Sequence, residues 1–118
     1  MPSWEAANIH ELRTTAPLNE RGRALASLDG MPLLVSRFDA HPKWEIHPQG
    51  DELLQVIEGE LEVTLLTDDR PTLVLAVGDV FVVPRDTWHS PVPRGTVTLL
   101  STARYDGTRV SDLDDPRS

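Results

Sequence analysis

The chain has 118 residues, 39% hydrophobic and 25% charged, with 11 Lys plus Arg against 19 Asp plus Glu for a formal net charge of -8. That is one domain's worth of sequence, and its negative field repels phosphate backbones and anionic lipid, so neither nucleic acid nor a membrane is expected as a partner. The absence of cysteine excludes disulfides, thiolate metal sites and cysteine nucleophiles and fits a reducing, cytoplasmic setting.

Residues 1–32 read as an irregular arm laid over the domain or over a partner subunit. Within it Asn8 and Glu11 have the spacing of a helix-capping pair, and Ile9 and Leu12 can anchor about one turn before Pro17 and Gly22 limit any continuation. The opening MPSWEAANIHELR has no apolar stretch of the kind a secretion signal needs. From Leu33 the run LLVSRF predicts a strand, broken by His41, Pro42 and Lys43.

The stretch WEIHPQGDELLQVIEG, residues 44–59, then places two carboxylates and an imidazole where a small core would hold apolar groups. Alternation along a strand sets Glu45 and His47 on one face and Trp44 and Ile46 on the other. A turn through Pro48, Gln49, Gly50 and Asp51 resets the phase, so that Glu52, Leu54 and Val56 of the next strand face the same interior as His47. If that interior is the core, Trp44 and Ile46 point outward. Covering them calls for the arm or a second subunit, and Trp88, beside His89, has the same need.

A turn is expected at Glu58, Gly59 and Glu60, after which Leu61, Val63 and Leu65 alternate with Glu62 and Thr64 in the clearest strand pattern of the chain. Thr67 to Arg70 form a polar turn, Thr72 to Val77 a return strand, and Val80 to Val83 a short strand stopped by Pro84. Arg85, Asp86 and Thr87 make a loop close to the expected cavity mouth, where Arg85 is free either to receive a substrate carboxylate or to pair with Asp51 or Asp86. Trp88, His89 and Ser90 begin another strand, Pro91, Pro93 and Gly95 interrupt it, and Val97 to Ser101 form the last one. Residues 106–118 hold only two apolar side chains and read as an exposed or flexible tail. Many short strands separated by Gly, Pro and Asp turns predict an all-β barrel or sandwich, here over residues 33–105.

These residues resemble the cupin family, as a small single-domain barrel. The family's first motif is Gly, five residues, His, one residue, His, three or four residues, Glu, six residues, Gly; its latter part stands here as Glu45, Ile46, His47, four residues, Glu52, six residues, Gly59. The second is Gly, five residues, Pro, one residue, Gly, two residues, His, three residues, Asn; here it is Gly78, five residues, Pro84, Arg85, Asp86, two residues, His89. Three positions depart: Glu45 replaces the first His, Asp86 the Gly, and Pro93 the Asn.

The resemblance implies a jelly-roll barrel, often a homodimer, that holds a divalent metal near one mouth through His47, Glu52 and His89. Such a donor set suits iron, nickel, manganese or zinc. Glu45 is either a fourth ligand or an outer group accepting a proton from a ligand imidazole. Two buried carboxylates also demand a counter-charge, which a cation supplies. The leading reading is a metal-binding enzyme acting as an oxygenase, isomerase or lyase on a small organic molecule, with Glu45 or Glu52 moving a proton. The alternative is a non-catalytic barrel that senses or binds a small ligand. His10 and His41 read as ordinary, satisfied polar residues.

Overall fold

The computed structural model describes residues 5–20 and 22–118; the part of the expected arm at residues 1–4 and 21 lies outside them. Among the described residues one helix, α1 (Ile9–Thr15), precedes eight strands: β1 (Arg23–Leu28), β2 (Met31–Phe38), β3 (Trp44–Ile46), β4 (Glu52–Leu65), β5 (Thr72–Leu75), β6 (Val80–Val83), β7 (His89–Thr102) and β8 (Arg109–Ser111). The predicted all-β class holds, and the helix sits where the capping pair placed it. Asn8 Oδ1 accepts the Glu11 backbone N–H at 3.2 Å, and Pro17 follows the C-cap Ala16.

The organising elements are the two 14-residue strands, β4 and β7, which pair antiparallel from Leu53↔Thr102 to Leu65↔His89. Both bend midway, where register shifts fall between Val56 and Glu58 and between Glu58 and Glu60. Their two halves therefore belong to different layers. In one layer the order is β1, β2, the second half of β7, the first half of β4, β6; in the other it is β5, the second half of β4, the first half of β7, β3, β8. All of these pairings are antiparallel, the arrangement of a jelly roll.

The turn expected at Glu58, Gly59 and Glu60 is instead this bend inside a continuous strand. Gly59 has φ +81, and a Cβ built there lies 2.3 Å from the Thr96 carbonyl oxygen, so the two backbones meet at a distance only glycine permits. The extra residue also switches the buried parity from Leu54 and Val56 to Leu61, Val63 and Leu65. The interruption expected at Pro91, Pro93 and Gly95 likewise lies within one strand. Pro91 and Pro93 oppose Val63 and Leu61 of β4, and on the other side no strand pairs with residues 90–96 among the described residues. Two prolines an even step apart turn their missing donors toward that unpaired side, so no ladder bond is lost.

Between the layers lies a core of Phe38, Leu54, Val56, Leu61, Val63, Leu65, Leu75, Val83, Val97 and Leu99, each side chain contributing about 1.5–3 kcal/mol on burial. A second cluster sits outside the barrel, where Ala16, Ile9 and Leu12 of the α1 region pack on Val35, Ile57 and Leu100. Trp44 and Ile46 are 5% and 3% exposed within the single chain. Their burial thus needs no second subunit. The guanidinium of Arg109 lies over the ring of Trp88 at 5.5 Å from its centroid. Residues 106–118, expected as an exposed or flexible tail, have most side chains exposed, yet Arg109–Ser111 pairs with Trp44, Glu45 and Ile46 as the outermost strand of its layer.

Candidate metal centre

Four polar side chains meet at the end of the barrel where β3, β4 and β7 come together. Glu45 is central in β3 and pairs directly with His89, the first residue of β7; His47 lies one residue beyond β3, and Glu52 opens β4. The loop joining β3 to β4 and the loop before β7 are fastened to each other. Asp51 accepts the Arg85 backbone N–H at 2.7 Å, the Arg85 side chain donates through Nε to the Pro48 carbonyl at 3.0 Å, and the Asp86 N–H donates to the His47 carbonyl at 3.0 Å. Asp86 takes φ +56, a left-handed conformation that Asp tolerates, where the family motif carries glycine. Neither carboxylate expected for Arg85 receives its guanidinium, and Arg85 does not line the cavity.

One donor atom from each of Glu45, His47, Glu52 and His89 lies within 4.8 Å of the other three. Glu45 Oε1 is 2.9 Å from His89 Nε2 and 3.5 Å from His47 Nε2, and Glu52 Oε1 is 3.2 Å from both ring nitrogens. The outward atom of each residue is held by another partner. His47 Nδ1 is 2.8 Å from Thr108 Oγ1, His89 Nδ1 donates to the Thr87 carbonyl at 3.0 Å, the Tyr105 hydroxyl donates to Glu52 Oε2 at 3.1 Å, and His41 Nε2 is 3.2 Å from Glu45 Oε2. The bond from His89 Nδ1 orients the ring so that Nε2 faces Glu45 and Glu52, and that nitrogen has only to lose its proton to ligate.

Of the inner atoms, His89 Nε2 and Glu45 Oε1 hydrogen-bond to each other at 2.9 Å. His47 Nε2 and Glu52 Oε1 are buried without a hydrogen-bond partner. Two such atoms lie 3.2 Å apart with no hydrogen bond between them, so both lack the partner a buried polar atom needs. The residues present therefore fit a divalent cation: buried donors of mixed nitrogen and oxygen type, each oriented from behind, with the central position left to a common partner.

Electrostatics agree. Burial opposes charge on every member, yet the close approach of imidazole and carboxylate, at 2.9–3.5 Å, outweighs it. The His47 and His89 imidazoles are raised to about 9 and about 10 by Glu45 and Glu52, while Glu45 is held well below the usual carboxylate range by its three histidine neighbours and Glu52 is lowered by His47 and His89. Without a metal the four groups are thus two imidazolium and two carboxylate ions. Burial and the charge of Glu52 push the Tyr105 phenol up, keeping it a neutral donor.

Glu45 and Glu52 also line a cavity of about 630 Å³ whose apolar wall includes Leu34, Phe38, Leu54 and Leu99. Three residues that hold ligand atoms escaped sequence reasoning. His41 looked like an ordinary polar residue, although it stands four positions before Glu45. Tyr105 and Thr108 fall beyond the last expected strand, and only Tyr105, as the sole tyrosine in the chain, offered a signal.

A barrel of this topology with donors from both motifs defines a class. The family model for the Cupin domain matches residues 37–102, and the chain belongs to the cupin family, with Glu45 standing where its first motif has histidine. Among curated proteins it is similar to the putative germin-like protein 2-1 of Oryza sativa subsp. japonica, 34% identical over 90 residues that cover 73% of this chain and 39% of that protein. The chain thus spans well under half of that relative's length. Among solved structures, a cupin-2 domain containing protein from Shewanella frigidimarina superposes with a TM-score of 0.72 at 18% identity, covering 82% of this chain and 92% of that one. The hydroxypropylphosphonic acid epoxidase of S. wedmorenis superposes with a TM-score of 0.54 at 20% identity, over 61% of this chain and 42% of the epoxidase. No helix of the described residues is long and apolar enough to cross a membrane.

Proposed function

We propose that the chain is a mononuclear metal enzyme that transforms a small organic molecule in the cavity beside Glu45 and Glu52, as an oxygenase, isomerase or lyase. The observation that carries this is the pair of buried, unpartnered atoms, His47 Nε2 and Glu52 Oε1, 3.2 Å apart, with Glu52 also lining a substrate-sized cavity. His47, His89, Glu52 and Glu45 hold the ion, which when bound polarises an oxygen or an enolisable carbonyl. The fold shared with an enzyme named as an epoxidase supports such chemistry.

The chain's own groups divide the remaining work. Glu52, with 5% side-chain exposure, serves as an anionic ligand steadied by Tyr105. Glu45, at 15%, has one oxygen toward the centre and the other toward His41 at the cavity wall, and is the carboxylate placed to accept a proton from a bound molecule or return it. Leu34, Phe38, Leu54 and Leu99 exclude water from that exchange. The homodimer that the resemblance implies and the cytoplasmic location suggested by the lack of cysteine belong with this proposal; sedimentation of the purified chain tests the first.

The test is elemental analysis of untagged protein. One divalent ion per chain is expected in the wild type, and loss of it in both His47→Ala and His89→Ala; metal content unchanged in the two variants overturns the reading.

A further inference from the structure

The charges around the cavity are one-sided. Its lining includes four carboxylates, Glu20, Glu45, Glu52 and Asp112, and one ionisable nitrogen base, His41; among the described residues no lysine or arginine lines it. Three cations of the described residues are engaged elsewhere. Lys43 Nζ is on Asp114, the Arg85 Nε is on the Pro48 carbonyl, and Arg109 lies over Trp88. Asp112 receives the Lys43 backbone N–H through Oδ1 at 2.9 Å, a bond that turns the carboxylate without neutralising it.

The replacement of histidine by Glu45 removes the one positive charge that would sit at the centre of this field. A divalent ion held by three neutral imidazoles and one carboxylate keeps one positive charge, enough to draw an anion. Held by His47, His89, Glu45 and Glu52, the same ion is neutralised. What remains is the contribution of Glu20 and Asp112, both exposed at the rim, of which a protonated His41 offsets only one. Apolar walls such as those formed by Leu34, Phe38, Leu54 and Leu99 focus the remaining negative field into the cleft.

We propose that the cavity selects a small organic amine in its ammonium form, with the charged end toward Glu20 and Asp112 and the apolar body against Phe38 and Leu99, and discriminates against carboxylates. This rests on the reading of the four-residue cluster as a metal centre. The probes are benzylamine and benzoate, which share a ring and differ in charge, each titrated calorimetrically into zinc-loaded protein whose zinc content is measured in the same samples. Benzylamine is expected to bind roughly tenfold or more tightly than benzoate. The ratio should shrink in the double variant Glu20→Gln, Asp112→Asn, which leaves the four cluster residues in place, and should move toward benzoate in Glu45→His, which adds one positive charge to the centre.

Benzoate binding as tightly as benzylamine in the wild type, or a ratio unchanged in the double variant, overturns the proposal. A protein that takes up no zinc overturns the metal reading instead, and the ratio of the two probes on that same protein still decides this one.

Discussion

Loading the centre with metal must expel protons, and the structure gives their number. In the metal-free protein His47 and His89 are raised from 6.5 to about 9 and about 10 by Glu45 and Glu52, so both rings are protonated at neutral pH. A ligating nitrogen carries no proton. Binding one divalent ion at pH 7 should therefore release about two protons, and the apparent affinity should rise by up to about 100-fold per pH unit until the first ring titrates near pH 9. The same shifts act on stability with the opposite slope. A raised imidazole pKa stabilises the metal-free fold fully below 6.5, and that contribution fades as pH climbs through 9 to 10. Metal-free protein should thus weaken over this alkaline window while metal-loaded protein does not. Calorimetric titration with zinc in two buffers of different ionisation enthalpy counts the protons, and urea melts across the window read the stability. Zero protons released at pH 7, with zinc bound, would refute the reasoning, because the rings would then be either neutral or not ligands.

Three substitutions probe the surrounding framework. Gly59→Ala places a Cβ against the Thr96 carbonyl at a left-handed position and should cost roughly 2–4 kcal/mol in urea denaturation; a variant as stable as wild type would mean the bend is built otherwise. Tyr105→Phe removes the hydroxyl that steadies Glu52 and is expected to weaken zinc binding about 10- to 100-fold with no change in circular dichroism. Asn8→Ala deletes the cap of α1 and should lower stability by about 1 kcal/mol while leaving metal affinity as it was, since the helix packs on the far side of β2 from the centre.

The strands and the cluster were legible because both are carried by short-range signals. Period-two alternation marked β4 on each side of its bend, and the spacing from Glu45 to His47 to Glu52, with His89 after Pro84, marked the donors. What stayed hidden depends on partners distant in the chain. Glu58, Gly59 and Glu60 look like a turn until Thr96 is known to lie against Gly59, and Pro91 and Pro93 look like breaks until one side of β7 is known to be unpaired there. Trp44 and Ile46, expected to need cover from the arm or a second subunit, are buried within the single chain, in a strand paired with β8, which the polar sequence after Tyr105 did not advertise. His41, Tyr105 and Thr108 were missed because a group that steadies a ligand needs only one hydrogen bond and leaves no spacing rule behind.

The shared passage of β4 and β7 through both layers has a mechanical side. Opposed sheets joined only by loops can part like the covers of a book, but here the spine is itself a double-stranded ladder, and prising the covers open would tear its rungs. Asn19 and Glu20 on one side of the sequence and Asp112 on the other line the cavity from outside the paired spine. Those two segments, rather than the barrel, are where evolution or an engineer can alter what is bound without disturbing the ladder that holds the layers together.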